Sequence, residues 1–69
     1  MSLGTVKYFS TDRGYGFIAP DSGEKDVFVH ITAVQRCGLS ELNEGQRIRF
    51  DIVTDQRSGR NIADNLEMR

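Results

Sequence analysis

Two runs of sequence decide the fold: RGYGFI at residues 13–18 and DVFVHI at residues 26–31. Both alternate aromatic residues with small or β-branched ones, which is typical of strands. The turn-forming residues PDSG at positions 20–23 lie between them. We therefore predict strands at residues 14–19 and 26–31, and we expect the two to pair as a hairpin.

Alternation separates the rings of this hairpin from its aliphatic side chains, because successive side chains of a strand point to opposite faces. The valines of the second strand lie on one face together with Ile31. If the two strands pair, four rings collect on one outer surface: Tyr15, Phe17, Phe28 and His30. Exposed rings forgo the stabilisation of burial, so such a cluster indicates a binding surface. The alternative is that a loop or the barrel interior covers these rings.

The remaining strands are predicted at residues 5–9, 47–53 and 60–66, with a short helical turn that Thr32 caps and Gly38 ends. Five short strands in one small domain leave exposed edges unless they close into a barrel. We therefore predict an all-β barrel. Its predicted core comprises Val6, Ile18, Val27, Val29, Ile31, Leu42, Ile48, Phe50, Ile52 and Ala63.

Length and composition limit what the chain can be. Its 69 residues, of which 38% are hydrophobic, suit a single folded domain. The net charge of −1 means that any binding of nucleic acid rests on local chemistry rather than on bulk positive charge. We expect a cytoplasmic protein without membrane contact, because no apolar run reaches the roughly 18 residues of a membrane helix and the first residues do not resemble a signal peptide.

The chemistry of the predicted surface suits single-stranded nucleic acid. Flat rings stack on nucleobases, and each such contact contributes about 1 to 3 kcal/mol. Double-stranded DNA does not offer its base faces, so we expect a single strand as the ligand. The cations expected around the rings, where they would hold phosphates, are Lys7, Arg13, Arg57 and Arg60. For Arg57 and Arg60, a solvated surface charge is an equal alternative.

Residues 13–18 also match the start of the ribonucleoprotein motif K/R-G-F/Y-G/A-F-V. An RNA-recognition motif would need two amphipathic helices, and its second aromatic strand precedes this motif instead of following it. The order found here, together with GTVKYF at 4–9, LNEGQ at 42–46 and ADNL at 63–66, resembles the bacterial cold-shock proteins. The resemblance covers nearly the whole chain.

This resemblance implies one cold-shock domain over residues 1–69. From the sequence itself, we expect residues 1–3 to be flexible or not native. The implied fold is a five-stranded antiparallel Greek-key barrel of the oligonucleotide/oligosaccharide-binding type. Such proteins bind single-stranded RNA and DNA, act as RNA chaperones in the stress response, and in some cases regulate transcription or its termination. The resemblance also implies that Asp26 hydrogen-bonds a base edge. By matching position, it marks the following residues as ligand-facing: Lys7, Tyr8, Tyr15, Phe17, Phe28, His30, Ile31 and Leu39.

Several positions depart from the family pattern. Tyr8 stands where Trp is usual, Ser10 where Asn is usual, and Ile31 and Leu39 where Phe is common. We expect weaker stacking at three subsites. We expect Tyr8, rather than the adjacent Phe9, to face the ligand.

Two other readings remain. A protein-interaction barrel could dock on its exposed rings. A hydrolase using His30 lacks a second catalytic group, and His30 with Cys37 makes neither a zinc set nor a nucleophilic site. We therefore expect no enzyme activity, cofactor, metal or small-molecule substrate. A monomer is expected, while a dimer formed by strand exchange stays open.

Overall fold

The computed structural model describes residues 2–68, and within them it contains five strands and one short helix. The elements are β1 (Ser2–Ser10), β2 (Tyr15–Pro20), β3 (Val27–His30), α1 (Ile31–Arg36), β4 (Arg47–Thr54) and β5 (Asn61–Met68). The predicted all-β class is confirmed. Of residues 1–3, which were expected to be flexible or not native, Ser2 and Leu3 pair with Phe50 and Arg49 of β4. Met1 lies outside the described residues.

The strands form a closed barrel in the order β1-β2-β3-β5-β4. Each neighbouring pair is antiparallel except β3 and β5, which run parallel where Phe28 pairs with Ile62. The predicted five-stranded barrel is confirmed, and the β3–β5 junction is its one parallel pair among the described strands. The reason is geometric, because directions cannot alternate all the way around a closed ring with an odd number of strands.

The core fills the barrel with the inward side chains of all five strands and of α1. The buried hydrophobic residues are Val6, Ile18, Val27, Val29, Ala33, Val34, Leu42, Ile48, Phe50, Ala63 and Leu66. Of the predicted core, Ile52 only packs partly against this cluster, and Ile31 is wrong because it is half-buried at the start of α1. The sequence prediction missed Ala33 and Val34 on α1, and Leu66 on β5.

α1 begins one residue before the predicted cap. His30, and not Thr32, is the N-cap, with an extended backbone and an imidazole Nδ1 that accepts a hydrogen bond of 3.2 Å from the Thr32 amide. This cap ends β3 at His30 and draws Ile31 into the helix. Gly38 ends the helix as predicted, because it follows the C-cap Cys37 with a φ of +83°.

A β-bulge at Lys7 changes which side chains of β1 point out of the barrel. Val6 pairs with Ile18, but the next paired residue of β1 is Tyr8, opposite Phe17. Strict alternation would place Val6 and Tyr8 on the same face. Because the extra residue shifts the alternation, Val6 is buried in the core while Tyr8 is 37% exposed.

Gly16 allows β1 and β2 to pass closely beside this bulge. A Cβ at Gly16 would collide with the carbonyl oxygen of Tyr8 and would lie 2.7 Å from the Cα of Phe9. Only glycine fits this approach without a shift of backbone. The bulge that turns Tyr8 outward therefore requires a glycine beside it, at position 16 of β2.

A second irregularity lies in β5 and explains its weak alternation. The register against β4 shifts between Arg49 and Asp51, and Asn65 has a φ of +49°. Asparagine tolerates this left-handed conformation better than most residues. The extra residue turns both Ala63 and Leu66, three positions apart, into the core.

Candidate nucleic-acid interface

The strand registers bring five rings to the outer surface of β1, β2 and β3. Tyr15 pairs with His30 and Phe17 with Phe28 across β2 and β3, and Tyr8 pairs with Phe17 across β1 and β2. We call this surface the ring face: Tyr8, Tyr15, Phe17, Phe28 and His30. The predicted hairpin and its gathering of four rings are confirmed, and the bulge adds Tyr8 to them.

The rings of the hairpin hold one another in place. Tyr15 and Phe28 stack with centroids 5.6 Å apart and planes inclined by 26°. Phe17 meets both of them edge-on, at 6.1 Å from Tyr15 and 5.9 Å from Phe28. These are favourable aromatic geometries. All three rings are half-buried and His30 is exposed, so neither a loop nor the barrel interior covers the cluster.

His30 combines two roles in the structure. Its Nδ1 lies 2.9 Å from the Thr32 hydroxyl as well as accepting from the Thr32 amide. Because Nδ1 accepts from an amide, the proton of a neutral ring is assigned to Nε2. The ring lies 6.4 Å from Phe28 between centroids. The cap therefore fixes the ring while leaving Nε2–H as a donor.

Two predicted cations touch the ring face directly. A hydrogen bond from the Arg13 side chain to Tyr15 raises the pKa of Arg13 above its ordinary value, and the nearby Tyr8 adds to this effect. The guanidinium carbon of Arg60 lies 5.4 Å from the centroid of the Phe28 ring, within the range of a cation–π contact. Arg60 thus lies over a ring, which the sequence did not predict.

The other predicted polar residues differ in their surroundings. Lys7 Nζ forms an ion pair of 3.0 Å with Asp26 Oδ2, between side chains that are 65% and 38% exposed. Arg57 is exposed in the loop between β4 and β5, where its backbone amide donates to Asp55 Oδ1 at 3.1 Å. Lys7 and Asp26 therefore form one unit, whereas no contact among residues 2–68 joins the Arg57 side chain to the ring face.

Two residues marked by the family resemblance are aliphatic and add no ring to the ring face. Ile31 begins α1 and is half-buried near Gly14. Leu39 follows α1 and packs partly against the core. Their aliphatic side chains do not extend the stacked set of rings.

The sequence analysis missed a cleft beside the ring face. It measures about 150 Å³ and is lined by Phe28, His30, Thr32, Ala33, Arg36, Ile62, Ala63 and Asp64. Arg36 Nη1 donates to Asp64 Oδ1 across it at 3.3 Å. The two residues are 28 positions apart, on α1 and β5, so no local pattern could have paired them.

Residues 2–68 contain neither a metal-binding cluster nor a membrane-spanning helix. No group of three or more His, Cys, Asp and Glu side chains in this range could hold a metal ion. None of the helical residues in the same range form a segment long and apolar enough to cross a membrane.

Comparisons with known proteins agree with this geometry. Residues 2–68 match the family model described as the 'Cold-shock' DNA-binding domain. The chain is 55% identical to a probable cold shock protein of Sinorhizobium fredii over 97% of both chains, and 54% identical to cold shock protein CspA of Rhizobium meliloti over 96% of both. It is also 54% identical to the cold shock-like protein CspG of Escherichia coli over 78% of this chain and 77% of that one. The chain therefore belongs to the cold-shock domain family, whose members are nucleic-acid-binding proteins and not enzymes.

Proposed function

We propose that the protein binds single-stranded RNA and DNA by stacking successive bases on the ring face. The observation that carries the proposal is the close set of Tyr15, Phe17 and Phe28 on the outside of the barrel, with centroids within 6.1 Å of one another. These rings are fixed before any ligand arrives, which lowers the entropic cost of binding.

The expected stacking energies bring micromolar binding within reach without a basic protein surface. Three or four stacked bases contribute roughly 3 to 12 kcal/mol before ordering costs are subtracted. Micromolar binding requires about 8 kcal/mol. A paired duplex hides its base faces, so it gains little from the same surface.

Polar groups at the edge of the ring face support a defined path for the strand. We expect Arg13 to hold phosphate beside Tyr15, and the Lys7–Asp26 unit to meet a base edge and its phosphate. A base that stacks on Phe28 either displaces Arg60 or is sandwiched by it. In this proposal, Ile31 and Leu39 offer only weak apolar subsites, and Arg57 is a peripheral contact.

The proposed biological role is that of an RNA chaperone in the cytoplasm, with transcription regulation or antitermination as one consequence. A protein selective for the unpaired strand shifts a hairpin toward its open form by mass action and needs no ATP. At a free concentration 100 times Kd, this linkage favours the open strand by about 2.7 kcal/mol. One monomeric barrel would cover roughly six or seven nucleotides, within the usual range for such folds.

A titration of intrinsic fluorescence tests the proposal. The chain has no tryptophan, and both of its tyrosines belong to the ring face. Adding a thymidine heptamer should quench their emission, and a duplex of equal length should compete poorly. Equal competition by duplex would exclude stacking as the mechanism. Unchanged emission without a mobility shift would favour a protein-interaction barrel.

A further inference from the structure

The cleft beside the ring face is continuous with it. Phe28 and His30 line the cleft and also belong to the ring face. α1 closes one side and the start of β5 the other. The small side chains of Ala33 and Ala63, both buried, together with Ile62 make an apolar floor. A strand lying on the ring face can therefore place its next base in this cleft without leaving the surface.

The polar groups of the cleft are only partly used. The Arg36 guanidinium and the Asn65 amide both donate to Oδ1 of Asp64, at 3.3 and 2.9 Å. Within residues 2–68, Oδ2 of Asp64 has no hydrogen-bond partner. The Arg36 side chain is 68% exposed, and this single bond leaves most of its five N–H donors available. The cleft thus presents an open acceptor beside open donors, above an apolar floor.

An exposed ion pair such as Arg36–Asp64 contributes little to stability. Stability therefore does not account for its position. The pair lines the same cleft as Phe28 and His30, which points to a role in binding. An apolar slot with a few converging polar groups is typical of a ligand site, and recognition of single-stranded bases usually combines stacking with hydrogen bonds to a base edge.

We propose that this cleft holds one guanine of the bound strand, whose Watson–Crick edge is read by Asp64 and Arg36; the inference rests on the proposed function. Guanine presents two adjacent donors, N1–H and the N2 amino group, to a carboxylate, and its O6 accepts from a guanidinium. On binding, Arg36 moves from Oδ1 of Asp64 to O6, so that Oδ1 and Oδ2 each accept one of the two guanine donors. Adenine and cytosine each offer a single amino donor on this edge. In thymine and uracil, the one donor is flanked by two acceptors that a carboxylate repels.

Binding of substituted heptamers tests the inference. The probes are a thymidine heptamer and seven variants, each with one guanine at a different position. We expect one variant to bind the wild-type protein about tenfold more tightly than the thymidine heptamer, as a bidentate base contact would produce. Inosine at that position, which lacks the N2 amino group, should lose most of the gain.

Two variants of the protein complete the test. Asp64→Asn and Arg36→Ala should each reduce the guanine preference to about twofold or less, while affinity for the thymidine heptamer stays within about twofold. The control is Glu67→Gln, which alters the Arg49–Glu67 ion pair of 3.8 Å on β4 and β5 and should leave the preference intact.

Two results would overturn the inference: no position at which guanine is preferred, or a preference that survives Asp64→Asn. Failure of the proposed function looks different, because the thymidine heptamer itself would then not bind. Thermal unfolding of each variant separates a loss of recognition from a loss of fold.

Discussion

Two sides of the same barrel carry different outer surfaces over one shared core. The outer surface of β1 to β3 is the ring face. The outer surface of β4 and β5 carries polar pairs: Arg49 Nη1 lies 3.8 Å from Glu67 Oε2, and Asn65 Nδ2 donates to Asp51 Oδ2 at 3.0 Å. Inside, both sides are alike, and their aliphatic and aromatic side chains are fully buried.

This contrast shows that the core does not require rings on the outside. β4 packs Ile48 and Phe50 inward, and its other face carries charged residues with the aliphatic Val53 near its end and no ring. The rings of β2 and β3 likewise lie outside the buried core. We attribute the rings to recognition, the function proposed above, and the binding predictions below compare the two sides.

The largest expected effect concerns the close approach of β1 and β2 at Gly16, beside Tyr8 of the ring face. Gly16→Ala should lower the free energy of unfolding by about 3 kcal/mol, because its Cβ meets backbone atoms of Tyr8 and Phe9 that cannot move aside cheaply. Chemical denaturation measures this loss. Gly23→Ala is the control, since that turn glycine has a φ of +84° but no atom lies within 4 Å of the position that its Cβ would take, and it should cost only about 1 kcal/mol. Equal losses of stability in the two variants would show that β1 and β2 do not approach closely at Gly16.

The next effect concerns binding. Phe28→Ala should weaken affinity for a thymidine heptamer by about 1 to 3 kcal/mol, or roughly 5- to 150-fold, because it removes the ring at the centre of the stacked set. Arg49→Ala, on the side of the polar pairs, should change affinity by less than about twofold. Fluorescence titration measures both. If the two variants weakened binding equally, the ring face would not be the binding surface.

The smallest effect concerns salt. If about three cations contact phosphate, log K should fall with log salt at a slope near −2. Lys7→Ala should make the slope shallower by about 0.7, the single-strand value for one phosphate contact. Titrations at several salt concentrations measure it, with Arg49→Ala as the unchanged control. If Lys7→Ala left the slope unaltered, Lys7 would not be one of the phosphate contacts.

The same comparison shows what sequence alone could predict. Alternation is strict through β2 and β3, so the pairing of Phe17 with Phe28 and the outward direction of both rings followed directly from the sequence. Alternation fails at the bulges, where one extra residue reverses the faces. The burial of Leu66 was missed for this reason, and the outward Tyr8 came from family resemblance and not from periodicity.

Tertiary contacts set the second limit. The His30 cap replaced the expected Thr32 cap because an imidazole nitrogen can accept from an amide as a hydroxyl does. The Arg36–Asp64 pair joins a helix to a distant strand, and the position of Arg60 over Phe28 depends on the path of a loop. Such contacts depend on the packed barrel and leave no trace in local sequence patterns.

The most direct test of base stacking on the ring face is an NMR measurement of contacts between the protein and a bound thymidine heptamer. We predict intermolecular nuclear Overhauser effects from thymine methyl protons to the ring protons of Tyr15, Phe17 and Phe28. We predict none to the methyl groups of Leu3, which is half-buried in the part of β1 that pairs with β4, opposite Arg49. Contacts to Leu3 without contacts to the three rings would contradict the account.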